Sequence, residues 1–141
     1  MVERSKLNTD HTFLLKLLPQ KKIKFQSGDL INIIPDEEKI KRQYSIAKTG
    51  KAIVLSIKKH NNGKCSSYIN RIDIGQEITA TIQKNPKFHL PNNNHTKLLI
   101  SNGTGIASFL GMIAENKNKT PLQLYWRRQN RSLFRPLQRS Y

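Results

Sequence analysis

A chain of 141 residues, 36% hydrophobic and 24% charged, has the composition of a globular protein and room for one packed domain or one and a fraction. No run approaches the roughly 18 apolar residues of a membrane span, and the acidic, polar start "MVERSKLNTDHTFLL" reads as cytoplasmic rather than as a secretory signal. The formal charge of +16 fits a solvated lysine-rich surface or attraction to an anionic partner; one cysteine and four dispersed histidines exclude an internal disulfide and give no metal-ligand spacing.

The first 83 residues read mostly as strands. "TFLLKLL" (12–18) and "DLINIIP" (29–35) are apolar runs separated by the turn residues Ser27, Gly28 and Asp29. "RQYSIA" (42–47), "AIVLSIKK" (52–59) and "EITATIQK" (77–84) follow, with Thr49-Gly50-Lys51 as a hairpin turn. In the last of these, Ile78, Ala80 and Ile82 alternate with polar residues, the two-residue period of a half-buried strand. Short strands at this spacing predict a small antiparallel β-barrel. One helix interrupts them: "KCSSYINRI" puts Tyr68, Ile69 and Ile72 on one face.

After an Asn- and Pro-rich linker at 85–96 the pattern changes. "KLLIS" (97–101) is a continuous apolar run, as in a parallel strand covered on both faces. "NGTG" makes a tight turn, and "IASFLGMIAEN" predicts a helix burying Ile106, Phe109, Leu110 and Ile113. "LQLYW" (122–126) is a second buried strand, which completes one β-α-β unit, the beginning of an α/β nucleotide-binding domain.

Three segments carry chemistry. Gly103, Thr104 and Gly105 stand between a buried strand and a helix, where backbone N–H groups and the helix start favour a pyrophosphate. Arg42, Gln43, Tyr44 and Ser45 bring a permanent cation, an aromatic plane and a hydroxyl to one strand. Gly63, Lys64, Cys65 and Ser66 open a second helix with a turn residue, a positive charge and a hydroxyl donor. Singly, each also fits an ordinary turn, an exposed strand or a routine helix cap.

In this order, "RQYS", "GKCSSYI" and "NGTGIASF" resemble the Arg-x-Tyr-Ser, Gly-x-x-Ser and Gly-Thr-Gly-Ile-Ala-Pro-Phe motifs of the ferredoxin–NADP reductase family. The likeness covers roughly residues 3–126 and is greatest to bacterial flavoprotein reductases similar to the sulfite reductase and cytochrome P450 reductase flavoproteins. It implies an FAD-binding barrel at 1–91 and the start of an NAD(P)-binding domain at 92–126. By resemblance, Arg42 contacts the FAD diphosphate, Tyr44 stacks on the flavin and Ser45 hydrogen-bonds near flavin N5. Gln43 lies within the motif, Gly63–Ser66 hold the pyrophosphate, and Gly103–Gly105 line the NAD(P)H site. The implied reaction is hydride transfer from NAD(P)H to FAD. Electrons then pass to an acidic carrier of flavodoxin-like, iron–sulfur (ferredoxin) or haem type. The sequence departs from the family at Ser108, where proline is usual, and it lacks the family's catalytic cysteine after the strand ending at Trp126. Cys65 itself reads as a packing residue. A basic barrel that binds nucleic acid without catalysis is the competing reading, but Phe25, Tyr44, Tyr68 and Phe88 make no obvious stacking platform.

The last stretch, residues 127–141, departs from the rest: five of the eight arginines fall within it, and all 17 lysines precede it. It lacks the Gly-Gly loop that the resemblance leads one to expect after "LYW". Permissible codons for this tail, displaced by one nucleotide, read Gly-Gly-Lys-Thr and then Phe-Asp-Leu-Tyr, the run expected in that branch. The tail is therefore read as a frameshift and the nucleotide domain as truncated, with FAD binding retained and little NAD(P)H oxidation. A basic nucleic-acid-binding arm is the rival. Sequencing the coding DNA is expected to find the family's remainder in the shifted frame; a single frame with no such remainder contradicts the reading.

Overall fold

The structure, a computed structural model, describes residues 2–8, 10–35, 41–117, 120–127 and 135–137. The elements run β1 (Val2–Arg4), β2 (Thr12–Leu17), β3 (Leu30–Ile33), β4 (Arg42–Ser45), β5 (Ala47–Thr49), β6 (Ala52–Lys58), α1 (Lys64–Arg71), β7 (Ala80–Gln83), β8 (Lys97–Asn102), α2 (Ile106–Ala114), β9 (Leu122–Arg127) and β10 (Arg135–Leu137). Apart from Arg127 and the β10 backbone, the arginine-rich tail lies outside the described residues.

Two antiparallel sheets, ordered β1-β2-β6-β5 and β4-β3-β7, enclose one core. Alternation decides which side chains enter it: Phe13, Leu15 and Leu17 of β2 face Ile53, Leu55 and Ile57 of β6 across an antiparallel register. Full burial of such a side chain is worth about 1.5–3 kcal/mol. Helix α1 adds Cys65 and Ile69 to the same cluster, with Ile72 just past its end. This is the small barrel with one helix that the strand spacing predicts. Strand β1 was not anticipated, because three residues are too few for a period to register.

One expected strand is divided. Residues 42–47 read as a single run, but β4 belongs to one sheet and β5 to the other. Between them Ile46 is fully buried; its N–H donates to the Asp29 carbonyl at 3.0 Å, and its carbonyl accepts from Gly28 N–H at 3.0 Å. The chain turns a corner there and changes sheet, as closed β structures require.

The second unit has the order β10-β9-β8, with β8 and β9 parallel and β10 antiparallel to β9. Its strand β8 is buried on one face and uncovered on the other, as a nucleotide domain present only in part implies. Lys97, Leu99 and Ser101 are buried, whereas Leu98 is 56% and Ile100 69% exposed, because α2 covers one face only. Helix α2 corrects the expected stripe: Ala107, Ser108, Phe109, Gly111 and Met112 are buried, and Leu110 is exposed. The helix packs on two surfaces at once. Phe109 and Met112 meet Leu99 and Leu124, while Gly111 lies against the barrel, where an added Cβ would stand 2.8 Å from Ala47. Two-sided packing turns the buried stripe away from Leu110.

The barrel loop at Gln26–Asp29 ties these parts together. The Asp29 carboxylate is fully buried and accepts from Gln26 N–H at 3.1 Å, Asn85 N–H at 3.0 Å and Lys84 Nζ at 2.9 Å. His89 Nε2 lies 2.7 Å from it. Beside it, Glu115 at the end of α2 accepts from Ser27 Oγ at 2.6 Å and Ser27 N–H at 3.2 Å, and pairs with Lys48 Nζ at 3.3 Å. The linker and α2 are thus both fastened to one barrel loop.

Burial alone would raise the Asp29 carboxyl, but the hydrogen bonds from Asn85, Lys84, His89 and Gln26 outweigh it and hold the group at about 2, against an ordinary 3.8. A depressed folded-state value stabilises the protein above the unfolded value, and that stabilisation disappears as pH falls through 4 toward 2. It amounts to about 2 kcal/mol at neutral pH. The thermal midpoint of the wild type is therefore expected to drop steeply between pH 4 and 2, with Asp29→Asn less stable at pH 7 and nearly insensitive across that window. Parallel pH profiles for the two proteins would contradict this role.

Candidate functional site

Strand alternation places Arg42 and Tyr44 on one side of β4, and Gln43 and Ser45 on the other. Arg42 is exposed, and Tyr44 is half-buried against the barrel core. Gln43 turns away and donates through Nε2 to Gln83 Oε1 at 2.8 Å. Ser45 is half-buried at the end of the strand, opposite Leu30.

The turn before α1 is a small knot. Gly63 N–H donates to the His60 carbonyl at 3.0 Å, and Ser66 Oγ donates to the Gly63 carbonyl at 3.0 Å while accepting from His60 N–H at 3.3 Å. Ser66 is buried, so its hydroxyl, read from sequence as a phosphate donor, holds the turn from within. Gly63 is needed for space: a Cβ there would lie 2.5 Å from Ser66 Oγ and 2.9 Å from His60 Cβ. The knot sets the first turn of α1, whose backbone end carries partial positive charge.

The turn at 103–105 is fixed from the neighbouring strand, where Trp126 Nε1 donates to the Gly103 carbonyl at 2.9 Å. Thr104 projects toward the barrel. The result is one cleft of about 480 Å³ in which Arg42, Tyr44, Gly63, Lys64, Cys65, Ser66 and Thr104 all take part. Of the anticipated residues, Gln43, Ser45, Gly103 and Gly105 do not line it. Lys58, His60 and Asn62 do, together with Pro35, Ser56 and Ile57, and no motif marks them. The period of β6, which sets Ser56 and Lys58 on one face, was the available signal.

Arg42, Lys58 and Lys64 bring three cations to this cleft, and no carboxylate occurs among its described lining residues. Tyr44 and Cys65 both lie within it. Burial first, and then Cys65, pushes the Tyr44 hydroxyl well above the ordinary tyrosine range. Burial likewise raises the Cys65 thiol, against the opposing pull of Tyr44 and the Arg42 charge. Both groups keep their protons at neutral pH, so neither cancels the guanidinium. A cationic wall, a helix start with a glycine cradle and a neutral aromatic face fit a dinucleotide's pyrophosphate and ring system. Among the described residues no three of His, Cys, Asp or Glu are grouped to hold a metal ion.

The profile of the oxidoreductase FAD-binding domain family matches residues 1–87. A flavohemoprotein from Burkholderia sp. (strain TH2) is 32% identical over 96 residues, 64% of this chain and 24% of that protein. Among solved structures, a single-site mutant of ferredoxin-NADP+ reductase from Plasmodium falciparum matches with a TM-score of 0.79 at 24% identity, covering 94% of this chain and 59% of that one. An Amycolatopsis cytochrome P450 reductase matches with a TM-score of 0.77 at 22% identity, covering 94% of this chain and 44% of that one. The chain thus spans about a quarter of the curated flavohemoprotein and about three fifths of the Plasmodium reductase.

The cradle can be tested by filling it. Gly63→Ala is expected to lower stability by about 1–3 kcal/mol, the cost of overpacking a tight site. Denaturant unfolding measures this; a midpoint equal to that of the wild type would show that the turn accommodates a side chain.

Proposed function

Because this chain belongs to the oxidoreductase FAD-binding domain family, we propose that the Arg42–Tyr44–Gly63 cleft is its FAD site and that it serves as the flavin module of an NAD(P)H-dependent reductase. The observation that carries this reading is the convergence of Arg42, Tyr44, the α1 start and Thr104 on one cation-rich cleft. FAD is its cofactor. Held there by Arg42 and the start of α1, FAD would supply the chemistry of accepting a hydride from NAD(P)H and passing electrons singly to an acceptor.

Arg42 neutralises the diphosphate by charge-assisted hydrogen bonds, and the first turn of α1 adds its positive end from the other side. Lys64 and Lys58 reinforce the same field. Tyr44 offers its uncharged ring as the stacking face, and its retained proton keeps a negative phenolate away from the phosphates. Ser45, next to Tyr44 but off the cleft lining, would offer its hydroxyl to flavin N5 from the end of β4. Thr104 forms the opposite wall, and the Gly103–Gly105 turn at the start of α2 would receive the NAD(P)H pyrophosphate. The net charge of +16 suits an acidic electron carrier of flavodoxin-like, ferredoxin or haem type, met in the cytoplasm. Among the described residues no helix is long and apolar enough to cross a membrane.

Titration of the purified chain with FAD, followed by quenching of flavin fluorescence, is expected to show binding at one FAD per chain. Loss of a charge-assisted bond is worth about 1.5–3 kcal/mol, so Arg42→Ala is expected to raise Kd by about 10- to 100-fold. Absence of FAD binding, or an Arg42→Ala protein that binds as well as the wild type, would overturn the reading.

A further inference from the structure

We infer that Trp126 is a positioning residue for the Gly103–Gly105 turn, its indole N–H holding the Gly103 carbonyl so that the turn keeps one shape for a nucleotide pyrophosphate. The inference rests on the nucleotide reading of that turn given above and adds a residue that no motif marks.

The turn lies between two anchored elements. Strand β8 is held by its parallel pairing with β9, and α2 by Phe109 and Met112 in the second core and Gly111 against the barrel. Between them stand a threonine and two glycines, the residue type with the most backbone freedom. Gly103 takes φ +54°, in the left-handed region, and nothing lies within 4 Å of where its Cβ would be. Close contact at that point does not hold it. Asn102, just before the turn, makes no side-chain cap bond. The bond from Trp126 Nε1 to the Gly103 carbonyl, 2.9 Å long, reaches the turn from β9.

Trp126 is well placed to give it. It is half-buried and shares a face of β9 with Leu124, which packs in the second core. Its register partner on β8 is Ser101, so the indole reaches forward past the end of that strand. The Gly103 oxygen is placed by both soft dihedrals of its residue, so fixing it restrains φ and ψ together. Its peptide plane is rigid and trans, and the Thr104 N–H therefore points away from the indole. An indole N–H only donates. It occupies a carbonyl, the group that would repel a pyrophosphate, and takes no N–H donor from the turn. Thr104, which lines the cleft, is thereby held in place.

Trp126 is the single tryptophan of the chain, so its indole N–H gives one unambiguous resonance. In the wild-type apoprotein that proton is expected to exchange with solvent deuterium more slowly than in the urea-unfolded chain. Trp126→Phe keeps a ring and removes the donor. In that variant the Thr104 amide signal is expected to broaden through exchange among turn shapes, while the amides of β2 and β6 stay in place. In the FAD-saturated wild type, NADP+ and NAD+, tried in turn, are expected to shift the 103–105 amides. Trp126→Phe is expected to raise the Kd of whichever binds by about 3- to 10-fold, the worth of one neutral hydrogen bond. An indole proton that exchanges as fast as in the unfolded chain would overturn the inference. So would a folded Trp126→Phe protein with a sharp Thr104 signal and an unchanged nucleotide Kd. If the wild type takes FAD but neither nucleotide, the nucleotide role falls while the FAD reading stands. If it takes no FAD, the FAD reading fails, and the apoprotein signals decide whether Trp126 holds the turn.

Discussion

Asp29 has no exposed surface, yet it is ionised, and what surrounds it explains the arrangement of the molecule. A buried carboxylate is costly unless its lone pairs are met by donors. Two backbone N–H groups, Lys84 and His89 meet them here, and three of these four donors come from residues 84–89, where the chain leaves the barrel for the second unit. The carboxylate thus fastens the exit of the linker to the loop that also turns the β4–β5 corner through Ile46. Glu115 adds a second fastening from α2 to the neighbouring Ser27 and Lys48. With both in place, the 103–105 turn can stand only on one side of the barrel, beside Tyr44.

That constraint makes a site from parts that are distant in sequence. A strand supplies Arg42 and Tyr44, a helix start supplies Gly63–Ser66, and a turn in the other unit supplies Thr104. The chemistry of the cleft follows from what is charged and what is not. Among the described residues lining the cleft Arg42 meets no carboxylate, and its neighbours Tyr44 and Cys65 both hold their protons. The proposed role of the cleft as a diphosphate site draws on this separation of a neutral aromatic surface from a cationic wall. Gly63 and Gly111 serve the same assembly through what they lack, one admitting the Ser66 hydroxyl under the helix start and the other admitting α2 against Ala47.

Much of the barrel and its cofactor was legible in the sequence because the signals are local. The period-two runs at 12–18, 52–59 and 77–84 and the compact groups Arg42–Ser45 and Gly63–Ser66 each carry their meaning within a few residues. Contacts across long separations were not legible. Asp29 read as turn punctuation and His89 as a surface or satisfied core residue, since nothing local announces a bond between positions 60 residues apart. The break at Ile46 was missed because an apolar residue at a sheet corner keeps the alternation of a continuous strand. Leu110 was assigned to the buried side because a helical stripe is normally counted against one partner surface, and α2 has two. Ser66 was legible as a hydroxyl at a helix start, but its bonds to His60 N–H and the Gly63 carbonyl were not.

The central claim is that three separate segments face one bound dinucleotide, and amide chemical-shift mapping during an FAD titration addresses it most directly. The account predicts that residues 42–45, 63–66 and 103–105 shift together and saturate at the same FAD concentration. Shifts confined to one of these segments, or spread over the outer face of the β1–β2 hairpin with the cleft silent, would contradict it.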